Sequence, residues 1–77
     1  MCLAIPALIE TIDDDRMAIV DILGVKRRVA LDLVPQALRG DFVLVHAGYG
    51  IEVVSHEFAA ETLDLIREFP ELAGQDS

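Results

Sequence analysis

The first 54 residues of the chain alternate between short apolar stretches and polar or glycine-containing breaks, a pattern typical of β-strands joined by turns. Residues 3–12 are apolar and β-branched, and residues 16–23 and 26–33 alternate apolar with polar side chains. We predict one strand in each stretch. Three consecutive acids at residues 13–15 suit the first turn, and residues 24–25 (Gly-Val) suit the second. The three strands then form a meander.

Two more strands follow an interruption at residues 35–40, where we expect a single helical turn. Residues 41–46 are the strongest strand candidate because they are rich in β-forming side chains, and residues 51–54 form a short fifth strand. Between these two strands, residues 48–50 (Gly-Tyr-Gly) are expected to make a tight turn. Pro6 lies inside the first strand. Since proline cannot donate a hydrogen bond to a neighbouring strand, we expect an edge position or a bulge there.

From residue 55 onward the apolar positions follow the period of an α-helix. Ser55 is the expected N-cap, Glu57 is favourably placed in the first turn, and Pro70 ends the helix near residue 69. The predicted apolar face of this helix contains Phe58, Ala59, Thr62, Leu63, Ile66 and Phe69.

These elements predict a mainly all-β fold and a single domain over residues 1–77. The domain is a small five-stranded barrel of the OB-like or SH3-like kind, at about residues 3–54, with a C-terminal amphipathic α-helix at about residues 55–69. We expect residues 70–77 to form a flexible tail.

The composition limits what such a domain can do. Hydrophobic residues make up 53% of the chain but aromatic residues only 5%, so the core is aliphatic and leaves little room for a deep cleft. A self-sufficient enzyme is therefore disfavoured. The net charge is −8, and residues 41–77 carry eight acids against one base, Arg67, so this half would repel nucleic acid.

A generic OB-like binding module without a metal role is the alternative function, for instance a module for oligonucleotides. Such a module needs exposed aromatic side chains interleaved with basic ones. The chain offers few aromatic residues, on an acidic background: Phe42, Tyr49, Phe58 and Phe69. A gel-shift experiment at low salt would detect this activity.

The sequence does not show the features typical of secreted or membrane proteins. The N-terminus has no basic segment followed by a long apolar stretch, so we expect no signal peptide. No apolar run approaches the about 20 residues of a membrane-spanning helix. The single cysteine cannot form an internal disulfide. We therefore expect a cytoplasmic protein that does not engage a membrane.

Cys2 is the first candidate for chemistry. Cysteine is small, so removal of Met1 is plausible and would leave a free amine (pKa about 7.7–8.0) beside a thiol (pKa about 8.5), both usable as metal ligands or nucleophiles. The competing interpretation is a buried core thiol. A third is an enzyme that uses Cys2 as its nucleophile, which would need a nearby base and a substrate pocket.

His46, at the end of the strongest predicted strand, is the second candidate. Alone, such a histidine is more often a polar group satisfied by the backbone. Paired with Cys2, it would complete a thiolate–imidazole ligand set for a soft or borderline metal. Two ligands are too few for a structural zinc site, where four are the rule, and suit a metal that is held briefly and passed on.

The other polar candidates have weaker support. We expect His56 to be an exposed residue in the first turn of the helix, where a charged imidazole is disfavoured by the helix dipole. The basic residues near one hairpin end could meet an acidic partner or simply be solvated: Arg16, Lys26, Arg27 and Arg28.

Two motifs resemble those of a known family. Residues 1–6 (Met-Cys-Leu-Ala-Ile-Pro) look like the N-terminal signature of the HypC/HupF family of nickel–iron hydrogenase assembly chaperones. Residues 40–51 are similar to the second characteristic block of that family. The resemblance covers about residues 1–69, and the connection between residues 34 and 40 is shorter than the insertion that some members carry.

The resemblance implies a metallochaperone with an OB-like barrel, and not an enzyme. Cys2, exposed by removal of Met1, would bind iron transiently as the Fe(CN)₂CO group or its precursor, and His46 would assist. The partners would be a HypD-type iron–sulfur maturation protein and the hydrogenase large-subunit precursor. Pro6 would shape the N-terminal segment that binds partners, which comprises Cys2, Leu3, Ala4, Ile5 and Pro6. Exposed Leu3, Ile5 and Pro6 would dock in an apolar groove of the partner or extend a sheet edge.

Overall fold

Alternation of inward and outward side chains along five strands builds a barrel in the computed structural model, which describes residues 4–69. The strands are β1 (Ile5–Ile12), β2 (Met17–Ile22), β3 (Val25–Ala30), β4 (Phe42–His46) and β5 (Tyr49–Val54), followed by helix α1 (His56–Glu68). Their order around the barrel is β1-β2-β3-β5-β4, with β4 returning to β1. The predicted fold class, a small all-β barrel with a C-terminal helix, is confirmed.

The barrel interior is aliphatic, as the composition predicts. The strands contribute Val and Ile side chains together with two alanines, and the segment between β3 and β4 adds three more apolar residues. The central cluster comprises Ala7, Ile9, Ala18, Val20, Val29, Leu31, Val34, Ala37, Val43 and Val45. No side-chain nitrogen or oxygen within residues 4–69 is buried without a hydrogen-bond partner.

Two hairpin turns have the same backbone geometry. Leu23 and Gly24 have φ of 51° and 90°, and Ala47 and Gly48 have φ of 53° and 84°, so both central residues are left-handed in each turn. Two-residue turns of this kind match the twist of the flanking strands. The predictions of turns at residues 24–25 and 48–50 were therefore wrong in position. The acidic turn at residues 13–15 is confirmed.

Gly50 belongs to β5 and not to a turn. A Cβ atom at this position would lie 2.9 Å from Cγ2 of Val43 and 3.0 Å from Cδ2 of Leu31. Distances below 3.0 Å do not occur for real Cβ atoms, so a larger residue would force the core apart. Glycine is required here by packing in the barrel interior and not by backbone flexibility.

The segment between β3 and β4 contains no helical turn, which corrects the expectation for residues 35–40. Successive turns replace it, in which the N–H groups of Val34 and Ala37 each donate to the carbonyl three residues earlier, at 3.0 Å. The predicted third strand is also too long, since β3 ends at Ala30. Leu31 follows the strand and is fully buried.

Arg16 holds this irregular segment in place. Its Nη2 donates to the carbonyl oxygens of Val34, Pro35 and Ala37 at 3.0, 3.2 and 3.2 Å. Carbonyls in a segment without regular structure need such donors because no neighbouring strand or helix satisfies them. Arg16 is thus a structural residue, whose guanidinium bonds this segment, whereas Lys26 and Arg28 pair with acidic side chains.

Arg16→Met should therefore destabilise the barrel by about 1–2 kcal/mol, because hydrogen bonds from a charged donor are lost while the aliphatic stem is kept. Urea unfolding followed by circular dichroism measures this. The matched control is Arg39→Met, on an exposed arginine of the same segment. Equal stabilities of the two variants would contradict the structural role of Arg16.

Pro6 is accommodated at the end of a strand. It pairs with Leu44 of β4, whereas the pairing of β1 with β2 starts only at Leu8. The proline therefore has a strand neighbour on one side, in agreement with the predicted edge position. The irregularity of β1 is elsewhere, between Ile9 and Thr11.

Helix α1 starts and stops where the sequence predicts. The Ser55 hydroxyl accepts a hydrogen bond from the N–H of Phe58 at 3.0 Å, and the C-cap is Phe69. Ala59 and Ile66 are buried and the helix packs against β1. Phe58 and Phe69, both on the predicted apolar face, are 45% and 50% exposed, so only part of that face is buried. Within residues 4–69, no helix has the length and apolar character of a transmembrane span.

Candidate functional site

The N-terminal motif is only partly within the described residues. Cys2 and Leu3 lie outside them, and Ala4 is half-buried. Ile5 and Pro6 begin β1, and both are buried. Since a buried side chain cannot dock into a partner without rearrangement, the expected exposure of Ile5 and Pro6 was wrong. The tail predicted at residues 70–77 also lies outside the described part of the chain.

His46 ends β4 and lies at the end of the barrel where β1 begins. Ile5 pairs with Val45 in the antiparallel register of β1 and β4. The next position on each strand is Ala4 and His46, so the register places these two residues opposite each other. Val45 is buried and His46 half-buried, which puts the imidazole on the outward face of β4.

This register matters for the predicted ligand pair. Cys2 is two residues before Ala4, and two residues span at most about 7 Å. A side chain at position 2 is therefore within reach of the end of β4. Sequence separation alone, with 41 residues between Ala4 and His46, could not reveal that these two residues lie opposite each other.

The described residues hold no closed metal site. Within residues 4–69, no three or more histidine, cysteine, aspartate or glutamate side chains are close enough together to bind a metal ion. This part of the chain therefore offers fewer than three such ligands around His46. A metal bound here would need further ligands from the N-terminal residues, from a partner or from its own small molecules.

An open apolar pocket of about 550 Å³ lies at the same end of the barrel. It is lined by Ile5 and Val45, by residues of the two left-handed turns and by the β3 residues Val25, Arg27, Arg28 and Val29. The composition predicts little room for a deep cleft within the core, and this open pocket lies at the barrel end. The pocket was missed because it forms between strand ends that are distant in sequence.

The basic residues do not form one cluster. Nζ of Lys26 lies 2.6 Å from Oε2 of Glu10 and 3.6 Å from Oδ2 of Asp21. The hydrogen bond to Glu10 raises the pKa of Lys26. Arg28 approaches Asp13 at 3.7 Å. These exposed pairs contribute little to stability, and they leave this hairpin only partly neutralised.

His56 has a structural role. It is exposed in the first turn of α1, as expected, and its Nε2 lies 3.0 Å from the carbonyl oxygen of Gly40. Because a carbonyl only accepts, the ring must carry its proton on Nε2. The ring also meets Phe42 edge-on, with 5.0 Å between centroids. His56 thus ties the helix start to the start of β4, away from His46.

Comparison with known proteins agrees with these motifs. The chain matches the HupF/HypC family over residues 1–66. It is similar to the hydrogenase maturation factor HypC of Helicobacter hepaticus, with 45% identity over 88% of this chain and 80% of the relative. It is also similar to HypC of Cupriavidus necator, with 43% identity over 88% and 76%.

A third relative is the hydrogenase maturation factor HybG of Escherichia coli K12, which is 32% identical over 88% of this chain and 90% of its own length. Proteins of the matched family are maturation chaperones and not catalysts. Since the match covers most of the chain, the chain belongs to the HupF/HypC family and, as predicted, is not an enzyme.

Proposed function

We propose that this chain is a hydrogenase maturation chaperone that carries iron on Cys2. The cargo is the Fe(CN)₂CO group or its iron precursor. The chain receives it with a HypD-type iron–sulfur maturation protein and delivers it to the large-subunit precursor of a nickel–iron hydrogenase. The relatives named hydrogenase maturation factors support the pathway, and the Met-Cys start and the position of His46 support the chemistry.

The properties of a thiolate suit this cargo. Iron that carries carbon monoxide and cyanide is a soft metal centre, and soft thiolates bind such centres well. A single protein thiolate is also easily replaced by another one, so the iron can be handed on without dismantling a closed site. We expect the exchange in the cytoplasm, where reducing conditions keep a lone cysteine as a thiol.

His46 is the observation that carries the proposal. The β1–β4 register holds this imidazole opposite Ala4, within reach of position 2. A neutral imidazole can accept the proton that leaves Cys2 when the thiol binds metal, or can bind the metal as a second ligand. The proposed site therefore contains one exchangeable thiolate and one supporting nitrogen.

A transfer experiment tests the proposal. The chain is co-purified with the HypD-type protein, and iron content and the infrared stretching bands of carbon monoxide and cyanide are measured. The large-subunit precursor is then added and the proteins are separated. We expect the iron to move to the precursor, which should then show the stretching bands of carbon monoxide and cyanide. A complex that never contains iron beyond the partner's own iron–sulfur cluster, and never shows the carbon monoxide and cyanide bands, would contradict the proposed function.

Within this assay, His46→Ala should lower the rate of iron loading about tenfold or more, as loss of a residue supporting a metal ligand does elsewhere. The matched control is His56→Ala, which removes the other histidine of the chain. It should reduce stability through the lost contact with Gly40 but leave loading unchanged. Loading at the normal rate in His46→Ala would show that this residue is structural.

A further inference from the structure

Strand β3 has a strand neighbour on one side only over most of its length. It pairs with β2 from Val25 to Ala30, but β5 meets it at the single pair Ala30–Tyr49. This pair joins the end of β3 to the start of β5, so the residues of β3 before Ala30 have no partner in β5, and the apolar pocket lies beside them. Within residues 4–69, the part of β3 before Ala30 is therefore an edge strand.

The hairpin geometry shows which backbone groups this edge offers. The two-residue turn at residues 23–24 makes Ile22 and Val25 a hydrogen-bonded pair, and such pairs alternate along an antiparallel ladder. The N–H and C=O groups of Lys26, Arg28 and Ala30 therefore point away from β2. Ala30 confirms this assignment, because its N–H donates to the Gly48 carbonyl at 3.0 Å. Lys26 and Arg28 present the same groups along this edge.

The side chains beside this edge combine an apolar surface with a positive charge. Arg27 is the register partner of the buried Val20 and lies on the same face as Val25 and Val29, along the pocket wall. Among residues 4–69, Lys26 and Arg28 have acidic partners, whereas Arg27 forms no ion pair. In a chain with a net charge of −8, this arginine is a site for an acid from another molecule.

We propose that an extended segment of a partner protein binds along the β3 edge as an additional strand. Its backbone bonds to Lys26 and Arg28. One apolar side chain enters the pocket, and a carboxylate two positions away pairs with Arg27. Residues two apart on a strand share a face, so one segment supplies both side chains. This surface is separate in its chemistry from iron binding, and the proposal does not depend on the role of Cys2.

Nuclear magnetic resonance with a defined probe tests this proposal. The probe is a capped threonine heptapeptide with leucine at its third position and glutamate at its fifth. It is titrated into the ¹⁵N-labelled full chain. The amide protons of Lys26 and Arg28 should move downfield and exchange more slowly with solvent, because they become hydrogen-bonded. Shifts confined to other regions would overturn the proposal.

A charge exchange identifies the role of Arg27. Arg27→Glu should weaken binding of the glutamate peptide about tenfold, because like charges then lie opposite each other. A peptide with lysine in place of glutamate should bind Arg27→Glu better than the unaltered chain. Arg39→Glu is the matched control, with the same change in net charge on an exposed residue elsewhere. Equal affinities of the two variants would refute the pairing.

Arg28→Pro tests the backbone component. Proline there removes an N–H that points away from β2, so the β2–β3 ladder is kept while the edge donor is lost. In a folded variant, peptide binding should disappear. If the variant does not fold, the charge exchange at Arg27 tests the proposal instead. Slow amide exchange at Lys26 and Arg28 in the free chain, or a dimer formed through β3, would mean that the chain itself covers the edge. Either result overturns the proposal.

Discussion

Cys2→Ala should abolish iron loading while the barrel stays folded. Side chains between Ile5 and Ile66 build the described core, so we expect the barrel to keep its fold without the thiol. Alanine, in contrast, has no atom that can bind iron. In the transfer experiment, the complex of this variant with the HypD-type protein should hold no iron on the chaperone. The precursor should then receive no iron and show no infrared bands of carbon monoxide or cyanide.

Cys2→Ser is the matched control for this experiment, since it keeps the size and polarity of the side chain. Its hydroxyl does not ionise near neutral pH, so it too should fail to load iron. Circular dichroism and urea unfolding would show that both variants keep the stability of the unaltered chain. Normal iron content in Cys2→Ala would refute the proposed carrier role, and a joint loss of fold and iron would show that Cys2 is a core residue.

Gly50→Val should cost about 3 kcal/mol or more of unfolding free energy, at the upper end of the range for overpacked cores. Two side chains already occupy the space a Cβ would need: Val43 at 2.9 Å and Leu31 at 3.0 Å. A domain of this size has only about 4–12 kcal/mol in total, so the variant should unfold well below the temperature of the unaltered chain. Urea unfolding measures the difference.

The second substitution Val43→Ala should recover part of this loss. Val43→Ala alone leaves a small cavity, but in the double variant it makes room for the new side chain, so the two effects should not add. Glu52→Val, on an exposed residue of the same strand, is the control and should change stability by less than about 0.5 kcal/mol. Additive effects would show that the stability loss does not come from contact with Val43.

The elements with a strong local signal were predictable. The alternating strands and the Ser55-capped helix need only information from neighbouring residues, and both are confirmed. Turn positions were less certain because residues 48–50 contain two glycines with different roles. Gly48 needs its left-handed backbone, whereas Gly50 is inside the barrel. The local sequence does not distinguish a glycine needed for its backbone conformation from one needed for close packing.

The features of the candidate site also divide into those visible in the sequence and those that depend on the fold. The Met-Cys start and the histidine of the second block are visible as residues, and the family match agrees with them. The sequence could not place His46 opposite Ala4, since that depends on the register between β1 and β4. The sequence also grouped Arg16 with Arg27 by charge. Arg16 donates hydrogen bonds to the segment between β3 and β4, whereas Arg27 lines the pocket.

The order of residues thus determined the aliphatic core, the strand and helix types and the candidate metal ligands, because these follow from side-chain chemistry and local period. Only the closed barrel decided which strand ends meet, where the pocket opens and which part of β3 lacks a neighbour. The reason is physical: these features arise from contacts between distant segments, whose geometry is settled when the chain packs its apolar side chains together.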